Sequence, residues 1–465
     1  MKRKNFRWTV LFTLAMFTLL SCTKDEDLIT FNDTDDDAVT TVFSDATTEM
    51  ISEWNDLWLQ LDQYAMGMRP NVTSRALAYI HLAAYETAVH EIEGYTTNTN
   101  RLDGFHIDFS QRPDNLNVDI ALNACYSDVL DHFMINVQNG VDAGISTLES
   151  TMQTSLSTDI SQDVMDNSIA WGNYVAERVI AYALTDSDAE TQILEPQPRS
   201  YEPPVGDGFW TYSADEERAL FPYWGRVRTF VISSEETSSV APPIVYSEDP
   251  ESAYYAQMKE VQEVNDQAKL EDNEQLWIAE FWSDDVEGLM ISPPGRQLAI
   301  ANQLMAQYDL DYKESLVLLL KLGFSLNDAA VSTWADKYEY MVMRPNVYIH
   351  EFIDPDFQTN LFRLVFWPNP SFPGYPSGHS TFASAAAGIF IDKFGDATDF
   401  TDRIHEGRTE FRGTPRQFST FSQMAEENAF SRIPLGVHIR MDCTEGLRLG
   451  YEISDAVNNY DMTVQ

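Results

Sequence analysis

The chain has 465 residues, and its apolar fraction of 44% is typical of a globular protein with a substantial core. It carries 73 Asp and Glu residues against 30 Lys and Arg residues, a formal net charge of −43. Because so acidic a chain repels nucleic acid and anionic membrane surfaces at long range, we expect no nucleic-acid partner. A close group of basic side chains is informative in such a sequence, because it marks a place where an anion is bound.

The first residues predict an export signal. The basic stretch MKRKNFR precedes WTVLFTLAMFTLL, an apolar run that is short for a membrane span. Residues 19–22, Leu-Leu-Ser-Cys, resemble a bacterial lipobox, in which residues 1–21 are the signal peptide and Cys22 is the acylated first residue of the mature protein. The alternative is an ordinary secretory signal in which the cysteine occurs by chance.

Residues 22–48 are acidic and rich in Thr and Asp, which predicts a disordered tether. Within it, residues 24–27, Lys-Asp-Glu-Asp, resemble the surface-export signal of lipoproteins in some Gram-negative bacteria. We therefore expect an exported lipoprotein on the periplasmic or cell-surface side of the outer membrane, attached to the membrane only through its lipid anchor. Cys125 and Cys443 remain in the mature chain, and the sequence leaves open whether they form a disulfide.

The rest of the chain predicts one all-α domain of packed helix bundles at 49–465, with an N-terminal half at 49–250 and a C-terminal half at 251–465. Apolar side chains recur at helical spacing, and alternating strand patterns are scarce. Long loops rich in Pro, Gly, Asp and aromatic residues connect the helices, and such loops often cover a functional site. The predicted helices are 49–66, 72–92, 116–139, 159–184, 252–268, 271–283, 294–308, 312–343, 378–393 and 437–458, and the predicted long loops are 94–115, 185–250, 354–376 and 394–420.

The stretch PGYPSGHSTF, residues 373–382, predicts a helix start that can receive an anion. Pro376 stops the preceding segment, and Ser377 is a good N-cap for the small residues that follow. Gly378 lets the backbone approach a ligand closely, and a helix N-terminus offers unpaired N–H groups and a partial positive charge. His379 can exchange a proton with the bound anion. The alternative is a plain helix start with a surface histidine.

A pair of cations precedes this stretch in WADKYEYMVMRPNVYI, residues 334–349. Lys337 and Arg344 are seven residues apart, or two helical turns, which predicts both on one face of a helix that ends at Pro345. The alternative is a solvated basic pair, but the neighbouring residues are aromatic and apolar, which is unusual for a solvated face.

A third segment, SRIPLGVHIRMDC, follows at residues 431–443. Arg432 precedes Pro434 and Gly436, which are expected to break the local structure. His438 is predicted to open the last helix, and Asp442 lies one turn later, where its carboxylate can orient the imidazole. Together the segments supply three cations, two histidines and one helix N-terminus, which suits phosphate or an ion of the same shape.

These motifs, in this order, resemble the signature shared by vanadium-dependent haloperoxidases and type-2 phosphatidic acid phosphatases. The longer context resembles the haloperoxidase branch, because Trp334 and Phe372 match its two halide-site aromatics, although each is also compatible with a plain core position. In EFWSDDVEGLMISPPG, Asp285 matches the carboxylate that pairs with the second arginine near the acid–base histidine. The stretches SRALAYIHLAAYETAV and GFWTYSADEERALFPYWGRVRTF also resemble bacterial members, so the resemblance covers most of residues 49–460.

The resemblance implies an all-α haloperoxidase with a vanadate cofactor, and the C-terminal half, 251–465, as its vanadate-binding half. It implies that His438 is bonded to vanadium, that His379 is the general acid and base, and that Lys337 also polarises the peroxide. Its implied partners are hydrogen peroxide, a halide (iodide first, then bromide) and a small organic acceptor. Ser380 stands where some bromide-oxidising members carry a further histidine, so the halide preference stays open. The implied vanadate-binding residues are Lys337, Arg344, Ser377, Gly378, His379, Arg432 and His438.

Two alternatives use the same anion pocket. In a soluble phosphatase, His438 would form a phosphohistidine, His379 would protonate the leaving alcohol, and vanadate would inhibit. The aromatic pair and the long helical N-terminal half favour the peroxidase, and beyond residue 21 we find no apolar run of about 20 residues, as a lipid phosphatase in the membrane would need. A phosphate- or vanadate-capturing lipoprotein would need the cations but no proton-exchanging histidine.

Overall fold

The computed structural model describes residues 43–137, 143–213, 217–270, 273–284, 286–363 and 369–464. In these ranges the chain forms fourteen α-helices, four short 3-10 helices and a two-stranded antiparallel sheet. The predicted all-α architecture is confirmed. The predicted signal peptide, Cys22, the tether up to residue 42 and Asp285 lie outside the described residues.

The helices of the first half are α1 (Ala46–Gln63), α2 (Asn71–Ala88), α3 (Val118–Phe133), α4 (Ala143–Leu156), α5 (Gln162–Ala183) and α6 (Ser187–Leu194). Those of the second half are α7 (Ala253–Ala268), α8 (Glu274–Phe281), α9 (Pro293–Gln307), α10 (Tyr312–Tyr340), α11 (Pro345–Phe352), α12 (Gly378–Phe394), α13 (Phe421–Leu435) and α14 (Arg440–Asn458). The 3-10 helices are Val89–Glu91, Phe109–Gln111, Trp224–Arg226 and Asn360–Arg363, and β1 (Phe400–Asp402) pairs antiparallel with β2 (Arg416–Phe418).

Four helices were not predicted from the sequence: α4, α6, α11 and α13. Helix α4 is largely exposed, with only Gly144 and Ile145 buried, and its sequence is rich in Ser and Thr. Helix α6 has eight residues and lies inside a stretch taken as a loop. Helix α11 begins at Pro345, a position that proline favours because the first helical N–H needs no partner. Helix α13 continues through Pro434 and ends at Leu435. The next residue, Gly436, caps it with a left-handed φ of 93°, so the glycine and not the proline ends the helix.

The first helix begins earlier than predicted. The carboxylate of Asp45 accepts a hydrogen bond from the Thr47 N–H at 2.9 Å, so α1 begins at Ala46 rather than at residue 49. The last residues assigned to the tether are therefore helical.

Helix α10 crosses the protein interior and carries the first cation of the site near its C-terminal end. It is long and apolar enough to span a membrane, with a mean hydropathy of 1.3, but 89% of its most apolar window is buried inside the protein. Such burial is typical of a core helix. The expectation that no apolar run of about 20 residues exists beyond residue 21 is nevertheless wrong, because α10 contains one.

Close packing of α12 against α14 brings the two motif-bearing helix starts together. A Cβ atom added at Gly446 would lie 2.5 Å from the Ser377 carbonyl oxygen, and one at Gly450 would lie 2.1 Å from Ser384 Oγ. These glycines are required by the close approach of the helices. Cys125 and Cys443 are both buried and are not joined in a disulfide.

Candidate active site

The predicted site residues of the described chain converge on one region, where four segments meet at a cavity of about 440 Å³. The segments are the end of α10, the start of α11, the start of α12 and the junction of α13 with α14. The cavity is lined by Trp334, Phe372, Gly378, His379, Arg432 and His438, among others. Lys337, Arg344 and Ser377 are fully buried next to this lining.

The imidazole of His438 is held by a carboxylate. Its Nδ1 lies 3.1 Å from Asp442 Oδ2, and the same oxygen accepts a hydrogen bond from the Ile439 N–H at 3.2 Å. The spacing of four residues predicted this pairing, but His438 lies two residues before α14 begins at Arg440, and Asp442 is in the first turn of the helix. The pair therefore spans the helix start instead of lying within the helix.

The other ring nitrogen of His438 is placed to act as an electron-pair donor. Nε2 lies 3.0 Å from Arg344 Nη1, which can only donate, so Nδ1 carries the proton towards Asp442. Burial, followed by the charges of Arg344, Lys337 and Arg432, holds the pKa of His438 well below its usual range. A neutral imidazole with a lone pair at Nε2 is the form that binds a metal.

Lys337 is fully buried and donates to the carbonyl oxygens of Pro373, Gly374 and Pro376. Its ammonium group therefore fixes the loop that leads into α12. Burial, followed by the charge of Arg344, lowers its pKa well below the usual range.

Lys337 and Arg344 do not lie on one face of a single helix, which corrects the sequence prediction. Helix α10 ends at Tyr340, the next residue, Met341, is left-handed with a φ of 51°, and Arg344 is the N-cap residue of α11. The two cations still converge, because Lys337 Nζ and Arg344 Cζ lie 5.2 Å and 5.0 Å from the centre of the Phe372 ring.

The two arginines also hold the backbone around the cavity. Arg344 donates through Nε to the Phe372 carbonyl and through Nη1 to the Val437 carbonyl, both at 2.9 Å. Arg432 donates through Nη1 to the Trp282 carbonyl at 3.1 Å. Each guanidinium is therefore oriented by the chain that surrounds the cavity.

The start of α12 is formed as predicted. Ser377 Oγ accepts the Ser380 N–H at 3.4 Å, and the Ser377 N–H donates to the Asp442 carbonyl at 2.9 Å, which joins α12 to α14. A Cβ atom at Gly378 would contact the Trp334 ring at 3.5 Å, an ordinary distance, so the protein itself leaves room for a side chain there. The missing side chain keeps this helix N-terminus open to the cavity, beside His379.

Trp334 and Phe372 form a pair on the cavity wall, with ring centres 4.9 Å apart and planes tilted by 49°. The indole Nε1 donates to the Leu220 carbonyl at 3.3 Å, so the tryptophan is fixed in orientation. Trp334 is buried and Phe372 is half-buried, and both border the same space as His379.

Sequence reasoning missed two arginines that hold the segment before residue 285. Arg69 Nη2 donates to the Asp284 carbonyl at 2.8 Å, and Arg296 Nη2 binds the Asp284 carboxylate at 2.8 Å and the Phe281 carbonyl at 2.6 Å. A signal for Arg69 was present, because residues 68–72 and 343–347 both read Met-Arg-Pro-Asn-Val, and the second copy contains Arg344.

Comparison with known proteins bears on the fold. Residues 317–464 match the family of VCPO second helical-bundle domains. The crystal structure of the first bacterial vanadium-dependent iodoperoxidase superposes with a TM-score of 0.77 at 24% sequence identity, over 90% of this chain and 98% of that one.

The chain has the fold of the vanadium-dependent haloperoxidases. A holo-type bacterial vanadium-dependent chloroperoxidase superposes with a TM-score of 0.64 at 16% identity, over 85% of this chain and 93% of that one. An apo-type structure gives 0.64 at 17% identity, over 84% and 94%. Comparison with curated protein sequences finds no match. The haloperoxidase fold thus extends over most of the chain, and residues 317–464 are its second helical bundle.

Proposed function

We propose that this protein is a vanadate-dependent haloperoxidase that uses hydrogen peroxide to oxidise a halide, iodide first and bromide next, to the hypohalous acid. The observation that carries the proposal is the position of His438 in the haloperoxidase fold. Its Nε2 lies beside Arg344 Nη1 at 3.0 Å, and Asp442 holds its other nitrogen. The similarity to an iodoperoxidase structure supports iodide as the first substrate.

The donor set fits vanadate. His438 offers a neutral nitrogen, and Arg344, Arg432 and Lys337 place three buried cations next to it. The open N-terminus of α12 adds the Gly378 N–H, with the Ser377 hydroxyl alongside. Guanidinium groups and helix N-termini both suit a tetrahedral oxyanion. Bound vanadate would supply a Lewis acid that activates hydrogen peroxide without a change in the oxidation state of the metal.

The residues of the chain then have separate tasks. Arg344 and Arg432 neutralise the oxyanion, and Lys337 holds the loop before α12 in place. We assign to His379 the proton exchange with peroxide, as general acid and base. The overall reaction consumes one halide, one hydrogen peroxide and one proton, and it releases one hypohalous acid and one water. Trp334 and Phe372 provide the apolar wall against which the halide approaches.

The assay that tests this function offers two reactions to one protein sample. The sample is freed of vanadate with EDTA and phosphate and then exchanged into phosphate-free buffer. Vanadate, hydrogen peroxide and iodide are added and triiodide is followed, while a chromogenic phosphate ester is offered in parallel without vanadate. We expect vanadate-dependent oxidation and negligible ester cleavage. Ester cleavage that vanadate inhibits, with little oxidation, would assign the pocket to phosphoryl transfer.

We further propose that the protein is an exported lipoprotein anchored in the outer membrane through acylated Cys22. The signal-like residues 1–21 and the cysteine that follows them support this proposal. Metabolic labelling with a fatty acid should mark the wild-type protein and not a Cys22→Ala variant. Equal labelling of both, or a soluble wild-type protein after cell fractionation, would contradict the lipid anchor.

A further inference from the structure

Besides the residues assigned to vanadate, further polar side chains line the cavity. Arg69 lines it with an exposed fraction of only 6%. Its Nη2 donates to the Asp284 carbonyl, but Nε and Nη1 have no hydrogen-bond partner among the residues that the structure describes. A buried guanidinium whose N–H groups have no acceptor lowers the free energy of unfolding, unless a bound molecule accepts their hydrogen bonds.

Asn369 lines the same cavity and is also incompletely paired. Its exposed fraction is 1%, and neither Nδ2 nor Oδ1 has a partner within the described ranges. An amide adds one donor and one acceptor to the cationic Arg69. Two buried polar side chains with unused bonding capacity in the lining of one cavity indicate a place for a polar ligand group.

The surrounding walls have room and apolar surface for the rest of a ligand. A cavity of about 440 Å³ is larger than vanadate, peroxide and a halide require, and it lies in the size range of sites for small organic molecules. Away from the polar groups, the lining is mostly apolar, with Met66, Leu220, Leu361 and Phe382. Such a wall suits an aromatic ring.

The acidic side chains around Arg69 are bonded to other groups. The Asp284 carboxylate, which belongs to the same cavity lining, binds Arg296. Asp62 is fully buried, and the charge of Arg69 offsets part of the rise in its pKa, so the two groups interact at a distance. Glu287 lines the cavity, and its Oε1 accepts the Gly67 N–H at 2.8 Å. Within the described chain neither the Asp62 nor the Glu287 carboxylate is hydrogen-bonded to Arg69, so its Nε and Nη1 donors are available to an incoming carboxylate.

The sequence repeat gives an independent reason to compare Arg69 with Arg344. Both arginines stand in a Met-Arg-Pro-Asn-Val stretch, both are buried, and both directly precede a proline at the start of a helix, α2 or α11. Arg344 faces the anion pocket through His438. The first copy of the stretch therefore places a second arginine of the same kind at the same cavity.

We propose that Arg69 and Asn369 form a subsite that binds the carboxylate of a small aromatic acceptor. This inference rests on the proposed function, because it names the class of acceptor that the hypohalous acid meets before it leaves the cavity. In the transfer step with iodide, a ring carbon takes the iodine from hypoiodous acid and loses its proton. The hydroxide released from hypoiodous acid combines with that proton to give water.

The test measures binding to the intact, vanadate-free protein in phosphate-free buffer by calorimetry. The probes are 4-hydroxyphenylacetate and 4-hydroxyphenylacetamide, which differ only in the carboxylate. We expect the carboxylate to bind at least tenfold more tightly than the amide, and Arg69→Met to remove that preference. Asn369→Leu should weaken binding at least threefold. Saturating vanadate should leave 4-hydroxyphenylacetate bound, because vanadate is held by His438 and the cations around it.

The matched control is Arg75→Met, because Arg75 is likewise a buried arginine, within α2, but lines a different cavity. The Arg75→Met variant should bind 4-hydroxyphenylacetate with the affinity of the wild type. If Arg69→Met does not fold, as judged by its melting temperature, Asn369→Leu and Arg69→Lys provide the same comparison. Equal binding of both probes, an unchanged affinity in Arg69→Met and Asn369→Leu, or displacement of the probe by vanadate would overturn the subsite.

A second measurement separates this inference from the proposed function. With vanadate, iodide and peroxide present, both phenols compete in one vessel, and the ratio of iodinated products is compared with that from reagent hypoiodite. With the wild type, we expect the ratio of iodinated carboxylate to iodinated amide to be at least fivefold higher than the reagent ratio. With Arg69→Met, we expect it to equal the reagent ratio. Probe binding without any iodination would refute the haloperoxidase activity and support the subsite. Iodination by the wild type at the reagent ratio would support the haloperoxidase activity and refute the subsite.

Discussion

His438 and Asp442 face each other across the start of α14, with Nδ1 and Oδ2 3.1 Å apart. Both side chains are buried, and the carboxylate also caps the helix through the Ile439 N–H. One carboxylate thus fixes both the helix start and the tautomer of the imidazole. The electron pair at Nε2 is available for vanadate because of this contact.

Replacing Asp442 with Asn should weaken vanadate binding by about 10- to 100-fold, because the imidazole loses the partner that holds its proton at Nδ1. Equilibrium dialysis against vanadate measures this directly. Glu445→Gln is the matched control, since Glu445 is a buried carboxylate of the same helix that accepts the Val240 N–H. A dissociation constant unchanged in Asp442→Asn would refute the assigned role.

Replacing His379 with Ala should separate binding from turnover. The histidine lines the cavity in the first turn of α12, and we assign it a proton transfer. We expect vanadate affinity within about tenfold of the wild type and a kcat for iodide oxidation lower by about 10²- to 10⁴-fold. His438→Ala should instead lose vanadate retention. If the His379 variant oxidised iodide at the wild-type rate, another group would have to move the proton.

Gly446→Ala tests whether the close packing of α12 on α14 shapes the site. An added methyl group would lie 2.5 Å from the Ser377 carbonyl oxygen, so the helices must move apart. We expect a loss of about 1–3 kcal/mol in the free energy of unfolding, together with weaker vanadate binding. Thr444→Ala, at an exposed position of the same helix, is the control. A more stable Gly446→Ala protein, as helix propensity alone predicts, would contradict this packing.

His81 should make the protein less stable in mild acid. It is fully buried, neither ring nitrogen has a partner in the described chain, and burial lowers its pKa to about 3. Between that value and its ordinary pKa near 6.5 the unfolded state binds the extra proton, so stability is full above about pH 6.5 and falls as the pH falls. From pH 7 to pH 5 the loss is about 2 kcal/mol.

Urea unfolding at both pH values measures this effect. The difference in free energy of unfolding between wild type and His81→Phe should change by about 2 kcal/mol between pH 7 and pH 5. His106→Gln serves as control, because that side chain is exposed in the folded protein. An equal pH dependence in wild type and His81→Phe would show that His81 carries its proton in the folded state.

The site was predictable from the sequence where chemistry and short spacing decide it. Ser377 caps α12 as expected, and the four-residue spacing of His438 and Asp442 gives a real contact. The path of the chain from Lys337 to Arg344 was not predictable, because proline is compatible with both the end and the beginning of a helix.

Contacts distant in sequence decide that path. The Trp210 N–H donates to the Met341 carbonyl at 2.6 Å, and the Met343 N–H donates to the Gly208 carbonyl at 2.9 Å. These bonds hold the left-handed turn that ends α10. The Met-Arg-Pro-Asn-Val repeat marks Arg69 in the sequence, but only the fold brings residues 69 and 369 to the same cavity.

We expect His438 and the cations around it to bind one vanadate that is required for halide oxidation. The most direct test is a titration of the vanadate-free protein with vanadate in phosphate-free buffer, with iodide oxidation recorded at each step. We predict activity that rises from the background to a plateau at one vanadate per chain and stays at background in His438→Ala. Activity that does not depend on vanadate, or that is retained in His438→Ala, would show that vanadate at His438 is not required.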